Sequence, residues 1–110
     1  MAKVLAERIK EILEEFMGKA EIFGNLTFEI VDIENPAFVK GNRIYLSKKL
    51  EELSDKALKY VVAHELAHLA VKGHKERFWE VLRNLYPEYE EGQRELYCFF
   101  NDKKSLEKSS

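Results

Sequence analysis

Cysteine is almost absent: Cys98 stands alone in a chain of 110 residues. One thiol closes no internal disulfide and builds no cysteine-rich zinc cage, so a reducing compartment is expected. Neither sign of charge prevails, with 18 Lys and Arg against 20 Asp and Glu and a formal net charge of −2. A chain held electrostatically to nucleic acid or an anionic bilayer shows a basic surplus or stripe, so neither is expected as a partner. No apolar run approaches the roughly 20 residues that span a bilayer, which argues against membrane insertion. Met1-Ala2-Lys3 leads into a charged helical pattern and not into a signal-peptide core, so the expected location is cytoplasmic. No repeat, low-complexity block or linker divides the chain, and its length suits one domain. An apolar content of 45% is enough to close a core.

From Val4 to Met17, Leu5, Ile9, Ile12, Leu13 and Phe16 recur at steps of three and four, with Glu7, Lys10, Glu11 and Glu14 between them. That is an amphipathic helix with one apolar face, and Gly18 is a natural stop. Residues 26–33 alternate at Leu26, Phe28 and Ile30 and read as a strand, broken at Asn35-Pro36. Residues 37–40 and 43–46 flank Gly41-Asn42 and read as a hairpin. A short helical piece then leads to about Leu53. Ser54-Asp55 opens a long helix to about Lys72, with Gly73 as its stop. Two more helices are expected, over about 75–85 and 88–99, the second weakened by Gly92. The fold class is therefore α+β. A short, mostly antiparallel sheet packs on the long helix, with an N-terminal helix and two C-terminal helices around it. Residues 1–100 form the domain and 101–110 a polar, lysine-rich tail.

The long helix carries the chemistry. Over 57–71 it reads ALKYVVAHELAHLAV, apolar on nearly every side, which predicts burial by several neighbours. Yet it contains His64, Glu65 and His68, and unpaired burial of such groups costs several kcal/mol. A metal ion compensates them directly. His64 and His68 lie one turn apart on one face, about 6 Å at their bases, so both imidazoles reach one ion at about 2.0–2.1 Å. Glu65 sits about 100° round the helix, beside the ion, placed to take a proton from the attacking water. This is the H-E-x-x-H pattern of zinc peptidases. The bland alternative is a pair of satisfied core histidines with an accidental acid beside them.

All three histidines fall within eleven residues, the third being His74. In a continuous helix it would rise about 9 Å beyond His68, but a chain reversal at Gly73 would bring it back over the ion. Three protein ligands and one open position define a catalytic zinc site. The alternatives are a solvated His74 at the next helix start and a third ligand among Glu88–Glu95, such as Glu91 or Glu95.

Metzincins carry a glycine midway to their third histidine and a later methionine turn. Here Val71 takes the glycine place, and Met1 and Met17 both precede the motif. The chain instead resembles the minigluzincins, very small zinc peptidases of the HExxH gluzincin clan from thermophilic prokaryotes. The resemblance rests on GNRIYLSKKL before the active helix, on HELAHLAVKGH, and on KERFW after it. It implies one catalytic Zn²⁺ held by His64, His68 and His74, with Glu65 as the catalytic acid–base. The implied activity is endopeptidase cleavage of peptide or unfolded-protein substrates. It also implies an exposed strand edge that binds an extended peptide, assigned here to Asn42, Arg43, Ile44 and Tyr45. An oxyanion stabiliser is expected among Arg94, Tyr86 and Tyr89. Minigluzincins are latent, their C-terminal segment blocking the cleft; here the segment from Tyr97 to Asp102 would do so, with Cys98 or Asp102 in the open metal position. The chain would then be a monomer or a tail-exchanged dimer. The abundant Lys and Glu accord with a thermophilic source. Two rival readings stand. One is a SprT/Wss1-like peptidase of DNA–protein crosslinks, which shares HExxH, a nearby histidine and an aromatic pair like Phe78-Trp79. The other is a non-enzymatic zinc-binding regulatory module.

Overall fold

The structure is a computed structural model that describes residues 4–19, 26–71 and 76–108, with backbone only for Lys19 and for 101–108. The elements run α1 (Leu5–Lys19), β1 (Thr27–Val31), β2 (Ala37–Lys40), β3 (Arg43–Ser47), a 3-10 turn (Lys48–Glu52), α2 (Asp55–Ala70), α3 (Glu76–Leu85) and α4 (Tyr89–Lys108). The α+β class is as expected.

The apolar stripe of α1 is buried as its spacing dictates, with Ile9 and Phe16 fully enclosed. A single arginine ties this helix to the start of α2. The Arg8 guanidinium donates to the Leu53 carbonyl at 2.7 Å and to Asp55 Oδ1 at 2.9 Å. It thereby takes up a carbonyl at the end of the 3-10 turn and neutralises the acid in the first turn of α2.

The sheet has the order β1-β3-β2 and is mixed. β3 pairs parallel to β1 and antiparallel to β2, so half of the expected antiparallel pairing is replaced by a parallel one. The hairpin forms where expected. Gly41 takes φ +63 and among the described residues no non-glycine has positive φ, the pattern of a II′ turn with glycine at its first central position. Ser47, fully buried, fixes the exit from β3: its Oγ donates to the Ile33 carbonyl at 3.0 Å and accepts from the Lys49 amide at 3.1 Å.

This topology corrects the expected edge strand. Arg43, Ile44 and Tyr45 lie in the central strand, their backbone flanked on both sides, and Asn42 belongs to the turn. Arg43 points along the outer face toward β1, donating to Glu29 Oε1 at 3.1 Å and Thr27 Oγ1 at 3.3 Å. The edges are β1 and β2.

α2 is enclosed by α1, α3, α4 and β2. It ends at Ala70, two residues earlier than expected, because Val71 is already extended at φ −140, ψ 128. Gly73 and His74 lie outside the described residues. At the other end Ser54 holds the N-cap position, but its hydroxyl donates to Glu95 of α4, whose other oxygen accepts the Ser54 amide at 2.8 Å. A carboxylate thus sits at the positive end of the helix, supplied by a neighbour.

α4 extends to Lys108, so the polar segment from Asn101 continues the helix instead of trailing from it. Gly92 explains how α4 reaches α2. A Cβ built there would fall 2.1 Å from the Lys56 carbonyl oxygen and 3.0 Å from Tyr60 Cβ. The glycine that weakens the helix in isolation is what lets two backbones touch. Among the described residues no helix is long and apolar enough to cross a membrane. Gly92→Ala must push α4 off α2, and a loss of about 1–3 kcal/mol or more is expected, read from the urea midpoint; an unchanged midpoint would contradict the packing.

Candidate active site

A cleft of about 730 Å³ opens between the sheet edge and the helices. Pro36, Ala37, Phe38 and Val39 form one wall, Leu96 and Tyr97 of α4 another, and Tyr60, Val61, His64, Glu65 and His68 of α2 the floor. The floor residues recur at i, i+1, i+4, i+5 and i+8, one face of a helix.

On that floor His64, Glu65 and His68 offer ligand atoms that all lie within 4.8 Å of one another. Glu65 is only 5% exposed, and its Oε2 lies 3.4 Å from His64 Nδ1. The two imidazoles meet edge to face, centroids 4.6 Å apart. Phe78 of α3, fully buried, lies 5.1 Å from the His64 ring and 4.7 Å from the His68 ring. One rigid aromatic side chain therefore limits the rotation of both imidazoles. Two neutral nitrogen donors and a shielded carboxylate, preset on one face, suit a borderline divalent cation such as zinc.

The reserve carboxylates are engaged elsewhere. Glu91 pairs with Lys56 at 2.5 Å, a contact that holds the Glu91 carboxyl below and the Lys56 amine above its ordinary value. Glu95 caps Ser54, ten residues before His64 and about 15 Å away along the axis. His74 lies outside the described residues.

The expected oxyanion residues do not line the cleft. Arg94 is exposed, Tyr86 rests on Phe16 at 6.1 Å, and Tyr89 lies between Tyr60 at 6.3 Å and Trp79 at 6.2 Å. Cys98 is exposed and also absent from the cleft wall, and nothing of the Asp102 side chain is described. Two phenols that the sequence reading did not weigh as oxyanion residues do line it: Tyr60 and Tyr97. Tyr60 was within reach of spacing arguments, since it precedes His64 by four residues and His68 by eight. Burial, and next a hydrogen bond with Tyr97, push its phenol well above the usual value.

The second wall has a backbone pattern of its own. The Ser47 amide donates to the Pro36 carbonyl at 3.0 Å, and Phe38 pairs with Tyr45. In an antiparallel ladder this turns the peptide groups of Phe38 toward β3 and those of Ala37 and Val39 outward, to the cleft side. Phe38 stacks on Tyr45, centroids 4.7 Å apart.

The floor carries an HExxH sequence whose three polar side chains converge on one candidate metal site. Residues 1–98 match the model of the YgjP-like metallopeptidase domain, and the chain belongs to that family. Among solved structures it is similar to the metallopeptidase zymogen of Pyrococcus abyssi abylysin, with a TM-score of 0.73 and 21% identity over 82% of this chain and 92% of that one. It is also similar to the metallopeptidase zymogen of Methanocaldococcus jannaschii jannalysin, with a TM-score of 0.64 and 24% identity over 93% of this chain and 97% of that one. The resemblance to minigluzincins holds in fold. No curated protein matches the chain.

Burial raises Tyr86 as well as Tyr60. A phenol raised in the folded chain keeps a proton that the unfolded chain releases, so its contribution to stability is full below pH about 10 and lost as pH rises beyond. In an alkaline absorbance titration two of the five tyrosines are expected to ionise late, together with the loss of helical signal. Five phenols titrating together in the folded chain would contradict this burial.

Proposed function

We propose that the chain is a zinc-dependent endopeptidase acting on extended peptide or unfolded-protein segments. The observation that carries this is the convergence of His64, Glu65 and His68 on the cleft floor, in a chain whose family is a metallopeptidase domain. His64, His68 and His74 hold the ion. When bound, zinc supplies a Lewis acid that polarises the scissile carbonyl and makes water more acidic.

Glu65 accepts a proton from that water as its oxygen attacks the carbonyl carbon. It then delivers the proton to the amide nitrogen as the C–N bond breaks. Its shielding from solvent strengthens both transfers. Phe78 holds the imidazoles in orientation. Ala37 and Val39 supply outward backbone donors and acceptors with which an extended substrate forms one more strand, beside the floor. The segment beyond Phe100 restrains access, a latency suggested by the two zymogens of like fold; limited proteolysis that shortens the C-terminus would then raise activity.

Glu65→Gln is expected to keep its zinc and lose at least ~100-fold in turnover, whereas His68→Ala loses zinc as well. Metal analysis beside cleavage of an unfolded protein checks both. Wild-type protein without zinc, or full turnover in Glu65→Gln, would overturn the reading. N-methylation of alternate substrate amides is expected to raise KM while leaving kcat little changed, the mark of lost strand pairing.

A further inference from the structure

Peptide hydrolysis places negative charge on the former carbonyl oxygen, and a preset hydrogen-bond donor at that point lowers the barrier. Around the metal-site residues, the cleft walls are formed largely by Pro36, Ala37, Phe38, Val39, Val61 and Leu96, none with a side-chain donor. Among the described residues, the remaining two that line it are Tyr60 and Tyr97.

These two phenols act as a unit with Gln93. Their rings meet edge to face, centroids 6.3 Å apart, and the Tyr60 ring lies 5.6 Å from that of His64. Gln93 Nε2 donates to Tyr60 Oη at 3.2 Å and to Tyr97 Oη at 3.5 Å. A side-chain amide has two hydrogens and a phenol only one. Gln93 thus fills acceptor capacity on both oxygens; the Tyr60 hydroxyl is hydrogen-bonded to Tyr97, and the Tyr97 O–H is left to donate elsewhere. Tyr60, in the floor, is 1% exposed, whereas Tyr97 is 48% exposed on the wall, open to an entering ligand. Gln93 and Tyr97 stand one turn apart on α4, next to the point where Gly92 seats that helix on Lys56 and Tyr60. The Tyr97 position is therefore set by a close helix contact beside the cleft and not by a loop.

We propose that the Tyr97 phenol, held by Gln93 beside Tyr60, donates the hydrogen bond that stabilises the oxyanion during peptide cleavage. The assignment rests on the peptidase reading above. Gln93 is a positioning residue; it acts through Tyr97 and does not itself meet substrate.

Tyr97→Phe removes one oxygen and keeps the ring. With zinc content and melting temperature unchanged, it is expected to lower kcat about 100-fold at nearly constant KM. It should also weaken binding of a phosphinic peptide, whose tetrahedral P–O group imitates the oxyanion, at least tenfold by calorimetry. Gln93→Leu should give an intermediate loss in both measurements. Equal turnover and equal phosphinic-peptide affinity in Tyr97→Phe would sink the proposal, as would faster hydrolysis in Tyr97→Ala, which would make the ring an obstruction. Either result in a wild-type chain that binds zinc and cleaves peptide leaves the peptidase reading standing. A wild type that holds no zinc, or that hydrolyses nothing even after its C-terminus is shortened, removes both.

Discussion

One helix must be buried on almost every side and still present a carboxylate and two imidazoles to an open strip. The rest of the architecture follows from that constraint on α2. Its sequence is apolar enough to be surrounded, so α1, α3, α4 and β2 close round it. The strip left open is the one where burial without a partner is most costly: the face of His64, Glu65 and His68. Phe78 supports the imidazoles from the core side, and the walls are apolar. Charges placed in such a recess interact more strongly than they would in water.

α4 is the element that converts a helix face into a cleft. Over two turns nearly every residue facing α2 has a distinct task. Glu91 pairs with Lys56, Gly92 admits the Lys56 carbonyl, Gln93 joins two phenols and Glu95 caps Ser54. Leu96 and Tyr97 then form the wall. The polar contacts lie partly in solvent, where each contributes modestly. The backbone approach at Gly92 sets the distance, and the polar pairs set the register.

Helices and the hairpin were legible because their signals are local. The stripe from Leu5 to Phe16 and the Gly41-Asn42 turn each depend on neighbours in the chain. His64, Glu65 and His68 were legible for the same reason, since spacing on a helix is geometry. Strand order was not. The runs 37–40 and 43–46 each hold three apolar residues and one cation, and the alternation of the second fits a half-buried central strand as well as an edge. The pairing that decides between them is set by the crossover from β1, a contact between distant segments. Tyr97 was read as part of a blocking segment and not as a wall of the cleft, for a related reason. Its place in the cleft depends on which side of α4 meets α2, and Gly92, read as a weakness of the helix, was the residue that held the answer.

The outward peptide groups of Ala37 and Val39 bear on which molecules can enter. A docking edge made of main chain recognises shape and is nearly indifferent to side-chain identity. Residues already committed to a helix or to the middle of a sheet have no spare amides or carbonyls to offer it. With substrate docked there as proposed, the recess would sort its clientele by conformation, passing over intact proteins and engaging stretches that have lost, or not yet acquired, their native structure.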